Sequence, residues 1–195
     1  MTLHFYALFY PSITLLLRCK LNSMKKIIWR YGTLSGFMNA IYLVALGLMT
    51  KDNPSFKSSM IAGYIAMAVA LSFIFVGVHQ AKKLFANEPF GFGRAFYTGL
   101  LISFISSLFY TFTWLAVLQF IHPNFMLDYT NSQIIEAQNQ GMSVQEIDII
   151  RKEMDGYVQL YKNPLWAFLI TLTEILPVGL LLSLLAGAIF KKKDA

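Results

Sequence analysis

The sequence has few of the residues that build catalytic and metal centres. It contains one cysteine, Cys19, and three histidines, His4, His79 and His122, which stand far apart in the chain. A single cysteine excludes an intrachain disulfide and a thiolate metal cluster, and the histidines lack metal-ligand spacing. No nucleotide-binding motif and no nucleophile paired with a base accompanies them. We therefore predict no enzyme activity, no cofactor and no metal site.

Charge is scarce as well. Charged residues make up 13% of the chain against 56% hydrophobic residues, and the mean hydropathy is +0.55. Long stretches are free of charge except for Glu174 in the last of them, and each reaches the roughly 20 residues that a helix needs to cross a bilayer. The sequence therefore predicts an all-α integral membrane protein. Residues 24–195 form one membrane domain, with four transmembrane helices at about 27–50, 60–81, 95–121 and 165–190.

The basic residues next to these spans are gathered on one side of the membrane. They are Lys25, Lys26, Arg30, Lys82, Lys83, Arg94, Lys191, Lys192 and Lys193. The positive-inside rule then predicts a multi-pass protein with both termini in the cytoplasm. Because orientation alone accounts for the basic clusters, the net charge of +6 does not indicate nucleic-acid binding.

Residues 1–23 differ from the rest of the chain. Their apolar part is short for a span, contains Pro11, and lacks the basic start and the cleavage site of a signal peptide. Met24 opens the stretch MKKIIWRYG, which is typical of a natural bacterial start. Two interpretations stay open: an upstream extension of the true reading frame, or an added interfacial segment.

Small residues recur every four positions in the first and fourth spans. Helices in lipid pair through close backbone approach at such residues, because the hydrophobic effect adds little there. We predict helix-packing faces at Gly32, Gly36 and Ala40 in the first span and at Gly179, Ser183 and Gly187 in the fourth. The third span carries hydroxyls such as Ser103 and Ser107 instead, which favour a polar but structural seam.

One long polar segment, 122–164, follows the third span and is too short for a core of its own. Pro123 precedes a first helix that Gly141 ends, and Ser143 with Glu146 forms the capping box of a second helix. We predict a helical extracytoplasmic loop between helices three and four. Its second helix is expected to pack on the first, in preference to the membrane surface or another protein.

Several stretches in a fixed order carry a family resemblance. They are RYGTLSGFMNAIY, FGFGRAFYTGLLIS, FIHPNFM, GMSVQEID and YKNPLWAFLITLTEILPVGLLLSLLAGAIFKKK. From Met24 onward the chain resembles the bacterial membrane family catalogued as the domain of unknown function numbered 4199, described largely from Bacteroidota. The resemblance implies a four-span inner-membrane protein with an outer loop between spans three and four, and it implies no activity.

Glu174 is the one carboxylate in a predicted span. A charged carboxylate at the centre of a membrane helix costs about 2.5–3.5 kcal/mol and usually faces protein or water. Counted inward from the outer ends of their spans, Asn39 and Tyr110 lie at the same depth, so the three form a candidate intramembrane polar cluster. On a straight helix Glu174 points away from Gly179. Pro177 is expected to kink the helix, so that either both faces turn inward or Glu174 faces a partner.

Two functions stay open. In the first, the protein is a non-enzymatic structural or interaction protein, in which Glu174 makes a structural hydrogen bond. The alternative is a small transporter coupled to protons or cations through Glu174. Against transport stand the lack of a second intramembrane acid, of an internal repeat and of a second broken helix. The expected partners are the lipid bilayer and either a second copy or another membrane protein, and no nucleic acid.

Overall fold

The computed structural model of the protein describes residues 3–51, 60–86 and 88–191. All regular secondary structure in these ranges is helical, which confirms the predicted all-α class. The helices are α1 (Leu3–Lys51), α2 (Met60–Leu71), α3 (Phe73–Lys83), α4 (Phe92–Ala116), α5 (Phe125–Asn139), α6 (Val144–Tyr161) and α7 (Pro164–Phe190). A π-helical turn, Val117–Ile121, extends α4.

Four helical ranges are long and apolar enough to cross a membrane, as predicted. They are Arg18–Lys51, Gly63–Lys83, Phe92–Ile121 and Pro164–Phe190. The first exceeds its prediction because α1 runs without interruption from Leu3, so that residues 3–23 continue into the first span. Residues 1 and 2 lie outside the described residues, and the interpretation of the segment as an upstream extension stays a prediction.

The two ends of the bundle are fixed by contacts between helices that are distant in sequence. At one end the Thr50 hydroxyl of α1 lies 3.1 Å from His122 Nδ1, which follows α4. We call this the loop end, because α5 and α6 lie there. At the other end the His79 ring of α3 lies 5.5 Å from the Phe190 ring of α7. This second end carries the basic clusters of α1, α3 and α4, and we call it the basic end.

Helix α4 lies between α1 and α7, and small residues allow both neighbours to approach it closely. A Cβ added at Gly36 would lie 2.6 Å from Phe109 Cβ, and one added at Gly179 would lie 1.7 Å from Ser103 Oγ. Each small-residue face of α1 and α7 is therefore turned toward α4. Ala40 is half-buried beside the α1 face, and Ser183 is fully buried on the α7 face.

A polar seam runs along the buried side of α4. The Ser106 hydroxyl lies 2.8 Å from the Ser35 hydroxyl of α1, and Asn39 Nδ2 donates to the same Ser106 oxygen at 3.3 Å. Ser35 also bonds the Ala70 carbonyl of α2 at 2.8 Å. Hydrogen bonds between helices in lipid replace bonds that water would otherwise provide, so the seam joins three spans.

The second span is divided at Ser72, where the sequence predicts one unbroken helix. The Ser72 amide donates to the Val69 carbonyl at 3.2 Å, and the Ser72 hydroxyl donates to the same carbonyl at 2.6 Å. Phe75 N in turn donates to the Ser72 carbonyl at 3.0 Å. Bonds of this i to i−3 type tighten the backbone locally, because the serine side chain competes for a helix carbonyl.

Helices α5 and α6 form a hairpin at the loop end. Gly141, with a φ of 72°, supplies the left-handed residue after α5, as glycine commonly does past the end of a helix. The predicted capping box is present at the start of α6. Glu146 N donates to Ser143 Oγ at 3.4 Å, and Ser143 N donates to Glu146 Oε2 at 2.8 Å. The α6 helix packs on α5, as expected, and on α7.

Candidate functional site

A cavity of about 340 Å³ lies between the helices at the loop end. Its walls come from α1, α2, α4, α5, α6 and α7, so the loop helices complete a space that the spans alone leave open. Glu174 is the one charged side chain among the described residues of this lining. A larger groove of about 650 Å³ lies where the end of α4 meets the loop helices and shares Met126 and Tyr161 with the cavity. Its described lining contains Lys162 and no acidic side chain.

The rest of the cavity wall is mainly aromatic. Six of the ten tyrosines in the chain line it: Tyr42, Tyr64, Tyr110, Tyr129, Tyr157 and Tyr161. Trp114 and Phe125 belong to the same wall and meet edge to face, with ring centroids 4.8 Å apart. Lysine, arginine and histidine are absent from the described lining. The cavity therefore combines one carboxyl group with phenol hydroxyls and aromatic faces.

Glu174 enters the cavity from α7, where it is half-buried. The Tyr161 side chain, at the end of α6, lies within hydrogen-bonding reach of its carboxyl group. Burial raises the pKa of Tyr161 to about 12, and the negative charge of Glu174 adds to the rise. Burial also raises the pKa of Tyr129 in α5, again with a contribution from Glu174. The carboxylate therefore influences groups on both loop helices.

The small-residue face of α7 and Glu174 point in different directions. Gly179 and Ser183 are buried against α4, and Glu174 faces the cavity. Helix α7 remains one helix through Pro177. Both faces of α7 therefore contact other helices of the same chain, and Glu174 has neighbours in the cavity wall without a second subunit.

The structure brings together two of the three residues of the predicted polar cluster. Tyr110 and Glu174 line the same cavity. Asn39 instead lies in the polar seam, fully buried, with its amide nitrogen on Ser106. Its Oδ1 atom has no hydrogen-bond partner among the described residues. Equal depth in the membrane therefore predicted Tyr110 correctly as a neighbour of Glu174 in the cavity wall, but Asn39 lies elsewhere.

The loop tyrosines are the site residues that depth counting misses. Tyr157 and Tyr161 are four residues apart in α6, the loop helix for which the sequence predicted only packing on its neighbour. Tyr129 in α5 carried no separate signal. The concentration of tyrosine near the loop end could have identified the site, because tyrosine has an apolar ring and a polar tip suited to the interface between membrane and water.

His122 fixes the wall of this cavity. The ring is buried, with Nε2 2.8 Å from Asp128 Oδ2 and Nδ1 3.1 Å from Thr50 Oγ1. It also meets the Phe125 ring edge to face at 5.4 Å. The sequence indicated only that His122 lacks the spacing of a metal ligand. In the structure His122 joins the end of α1 to the start of α5 and supports Phe125 in the cavity wall.

A family model described as a protein of unknown function, DUF4199, matches residues 30–192. These residues include most of the first span, the other three spans and both loop helices, and all the described residues of the cavity wall. The match agrees with the resemblance noted in the sequence. Neither a curated protein nor a solved structure matches the chain.

Proposed function

The chain belongs to the DUF4199 family of proteins of unknown function, and for this member we propose a binding function in the membrane. The protein is a non-enzymatic, multi-pass protein of the bacterial inner membrane, with both termini cytoplasmic and the loop end outside. Its loop-end cavity binds a small molecule, and Glu174 is the charged group of that site. The observation that carries this proposal is the position of Glu174 on a cavity of about 340 Å³. Small-molecule sites have volumes of roughly 300–1,000 Å³.

A binding role accounts for the cavity better than a structural hydrogen bond does. A carboxyl group that only fixes the packing of α7 needs one partner, and Tyr161 already supplies it. That pair needs no cavity of about 340 Å³ beside it. Glu174 also carries the insertion cost of an acid in a span, and such residues commonly mark functional sites. A ligand bound in the cavity would account both for the cavity and for an acidic residue in a span.

The lining favours binding over catalysis. General acid–base or nucleophilic chemistry needs a second group placed against the first, such as a histidine, another acid or an activated hydroxyl. Beside Glu174 the described lining offers phenol hydroxyls and apolar side chains. The site is suited to hold and orient a ligand.

Trp114 provides a direct assay for binding. It is one of three tryptophans, and the other two, Trp29 and Trp166, are exposed on the spans. The double substitution Trp29→Phe and Trp166→Phe leaves Trp114 as the only tryptophan, in the cavity wall. The purified protein in an uncharged detergent is titrated with small organic cations, anions and neutral solutes of equal size. At least one class is expected to give a saturable change in Trp114 fluorescence.

A pair of glycine substitutions distinguishes the cavity from the rest of the surface. Gly63→Leu adds a side chain to the cavity wall, and Gly156→Leu adds one to α6 away from it. A Cβ at either position meets no other atom within 4 Å. We expect Gly63→Leu to abolish the saturable signal and Gly156→Leu to preserve it. If no class of solute gives a signal with that dependence on Gly63, the binding proposal is wrong.

Transport coupled to protons or cations through Glu174 is a second candidate, favoured by one observation. The second span, with its tightened turn at Ser72, and α7, with Pro177, both contribute to the cavity wall. Such points allow half-helices to move around a bound ligand. In liposomes, transport predicts a solute or ion flux that depends on the pH gradient and is lost in Glu174→Gln. A flux that is unchanged by this substitution excludes Glu174 as the coupling group.

The lipid bilayer is the main partner in this proposal, since large apolar side chains remain exposed along the spans. Examples are Phe37, Ile41 and Phe112, each at least 59% exposed. A second copy or another membrane protein would cover part of this surface. Cross-linking in native membranes distinguishes these cases, because a second copy gives a dimer band and a different partner gives a band of unrelated mass.

A further inference from the structure

We infer that the ligand of the Glu174 cavity is an organic monocation, an alkylammonium group with an apolar body, held between the carboxylate and the tyrosine rings. This inference rests on the proposed binding function and adds the chemical class of the ligand. The same chemistry occurs in free amines and in the headgroups of lipids.

The charge of the lining selects a cation. Among the described residues of the lining Glu174 is the one charged group, and none of them is a lysine, arginine or histidine that could neutralise the carboxylate. An anion would meet a like charge with no compensating cation. A neutral ligand would leave the partly buried carboxylate with its Tyr161 partner but without a counter-charge, which is costly in a low-dielectric site. A single positive charge completes the pair.

The aromatic residues select an organic cation with a soft, apolar surface. The face of an aromatic ring carries negative potential, so a cation above it is attracted, and quaternary ammonium groups are the usual ligands of aromatic cages. Six tyrosines with Trp114 and Phe125 provide such faces. Phe125 stacks on Tyr129 at 6.2 Å and lies edge to face with Trp114, so this wall is ordered before a ligand enters. Preorganisation of this kind reduces the entropic cost of binding.

An inorganic ion fits the cavity less well. Calcium takes six to eight oxygen ligands and magnesium takes six, whereas this lining offers one carboxylate and dispersed phenol hydroxyls. In the part of the chain that the structure describes, no three His, Cys, Asp or Glu side chains come together as a metal site. A bare ion is also small relative to a cavity of about 340 Å³ and would touch few of the rings. An alkylammonium ion with three methyl groups on its nitrogen and a short chain would contact more of them.

Choline and its neutral isostere 3,3-dimethyl-1-butanol test the inference, because the two differ in charge but hardly in shape. The probe is the single-tryptophan protein that retains Trp114, in an uncharged detergent free of choline lipids. We expect choline to change Trp114 fluorescence saturably and the isostere to bind at least tenfold more weakly. A tenfold difference in affinity corresponds to the loss of one modest charge interaction.

Matched substitutions locate the charge and the rings. Glu174→Gln keeps the shape of the side chain and is expected to weaken choline binding about 30-fold or more, since truncating one partner of a desolvated charge pair is costly. Glu153→Gln removes an exposed charge from α6 and should leave binding unchanged. Tyr129→Phe keeps a ring and should retain binding, whereas Tyr129→Leu removes it and should weaken binding about fivefold. Unchanged elution and helicity show that each variant is folded.

A second arm identifies the source of the ammonium group. The protein is placed in nanodiscs of phosphatidylglycerol, with or without added phosphatidylcholine, and choline binding is measured again. Competition by phosphatidylcholine indicates that the site accepts a lipid headgroup. Unaltered choline binding indicates a free amine. Either result supports an alkylammonium ligand.

Three results would overturn the inference. The isostere could bind as tightly as choline, or Glu174→Gln could bind choline like the wild type. Choline could also give no signal although another class of solute binds in a manner that depends on Gly63. Each result excludes an organic cation as the ligand and leaves the proposed binding function intact. The binding function itself fails when no class of solute gives a signal that Gly63→Leu removes.

Discussion

Gly179→Ala should disrupt the contact between α7 and α4. The added Cβ would lie 1.7 Å from Ser103 Oγ and 2.9 Å from Ser103 Cβ, and both distances are shorter than a normal contact. Rotation of the serine hydroxyl relieves the first contact but leaves the second. The two helices must therefore move apart, which loosens the small-residue packing that holds α7 beside α4.

The size of the effect follows from this geometry. Overpacking of a close contact costs about 1–3 kcal/mol. Gly156→Ala is the matched control, because a Cβ there meets nothing within 4 Å and alanine favours a helix over glycine by up to about 1 kcal/mol. We therefore expect Gly179→Ala to lower the free energy of unfolding by about 1–3 kcal/mol and Gly156→Ala to raise it slightly.

A double-mutant cycle assigns the cost to one contact. Ser103→Ala removes Oγ but keeps Cβ at 2.9 Å, whereas Ser103→Gly leaves Cα, at 3.9 Å, as the nearest atom of residue 103. In the Gly179→Ala background, Ser103→Ala should restore part of the stability and Ser103→Gly more of it, apart from the intrinsic cost of a second glycine in α4.

Reversible unfolding in mixed micelles, followed by circular dichroism, gives these free energies. If Gly179→Ala is as stable as Gly156→Ala, or if the Ser103 substitutions do not couple to it, the close contact between α4 and α7 does not exist in the membrane protein. The packing that orients Glu174 toward the cavity would then need a different explanation.

Three further predictions concern the loop end. His122→Ala should lower the free energy of unfolding by about 1–3 kcal/mol, because it removes the buried partner of Thr50 and leaves that end of α1 detached from α5; thermal unfolding checks this, and equal stability would contradict it. Ser143→Ala should increase amide exchange in the first turn of α6. The pKa of Glu146 is lowered by its bonds to Ser143, so the cap stabilises the helix fully above the unfolded pKa of 4.5. This stabilisation is lost as the pH falls through the lower folded pKa. Exchange rates that respond neither to Ser143→Ala nor to the fall in pH would contradict the cap. The pKa of Tyr161 is raised by burial from 10.0 to about 12, so its contribution is complete below pH 10 and is lost as pH rises toward 12. Tyr161→Phe should reduce this alkaline loss of stability, and an unchanged pH profile would show that Tyr161 is not buried.

The four spans could be predicted from the sequence because hydropathy and length act locally. A run of apolar residues long enough for a bilayer needs no tertiary information. The capping box at Ser143 and Glu146 is local in the same way, since both partners lie within one helical turn. The small-residue faces, with Gly36 and Gly179 turned toward α4, follow from the repeat of four positions and helix geometry.

The cavity could be predicted only in part. Counting depth from the outer ends of the spans relates Tyr110 to Glu174, because both lie in spans whose direction the charge pattern predicts, and the two residues line the same cavity. It cannot relate Tyr129 or Tyr161, since their positions depend on how the α5–α6 hairpin folds back over the bundle. The break at Ser72 escaped prediction for a different reason. Serine tolerates a helix interior, and only the geometry reveals that its hydroxyl competes for the Val69 carbonyl.

The central claim is that the Glu174 carboxyl group lines a site which a small cation can occupy. Chemical labelling of Glu174 in membranes tests this claim most directly. Dicyclohexylcarbodiimide adds to the protonated form of carboxyl groups within membranes, so a cation paired with the Glu174 carboxylate suppresses the adduct. Mass spectrometry of the digested protein measures the adduct at Glu174. We expect Glu174 to be modified, choline to protect it, and 3,3-dimethyl-1-butanol to give no protection. Gly63→Leu should reduce the labelling and Gly156→Leu should not. Equal labelling with and without choline would contradict the account.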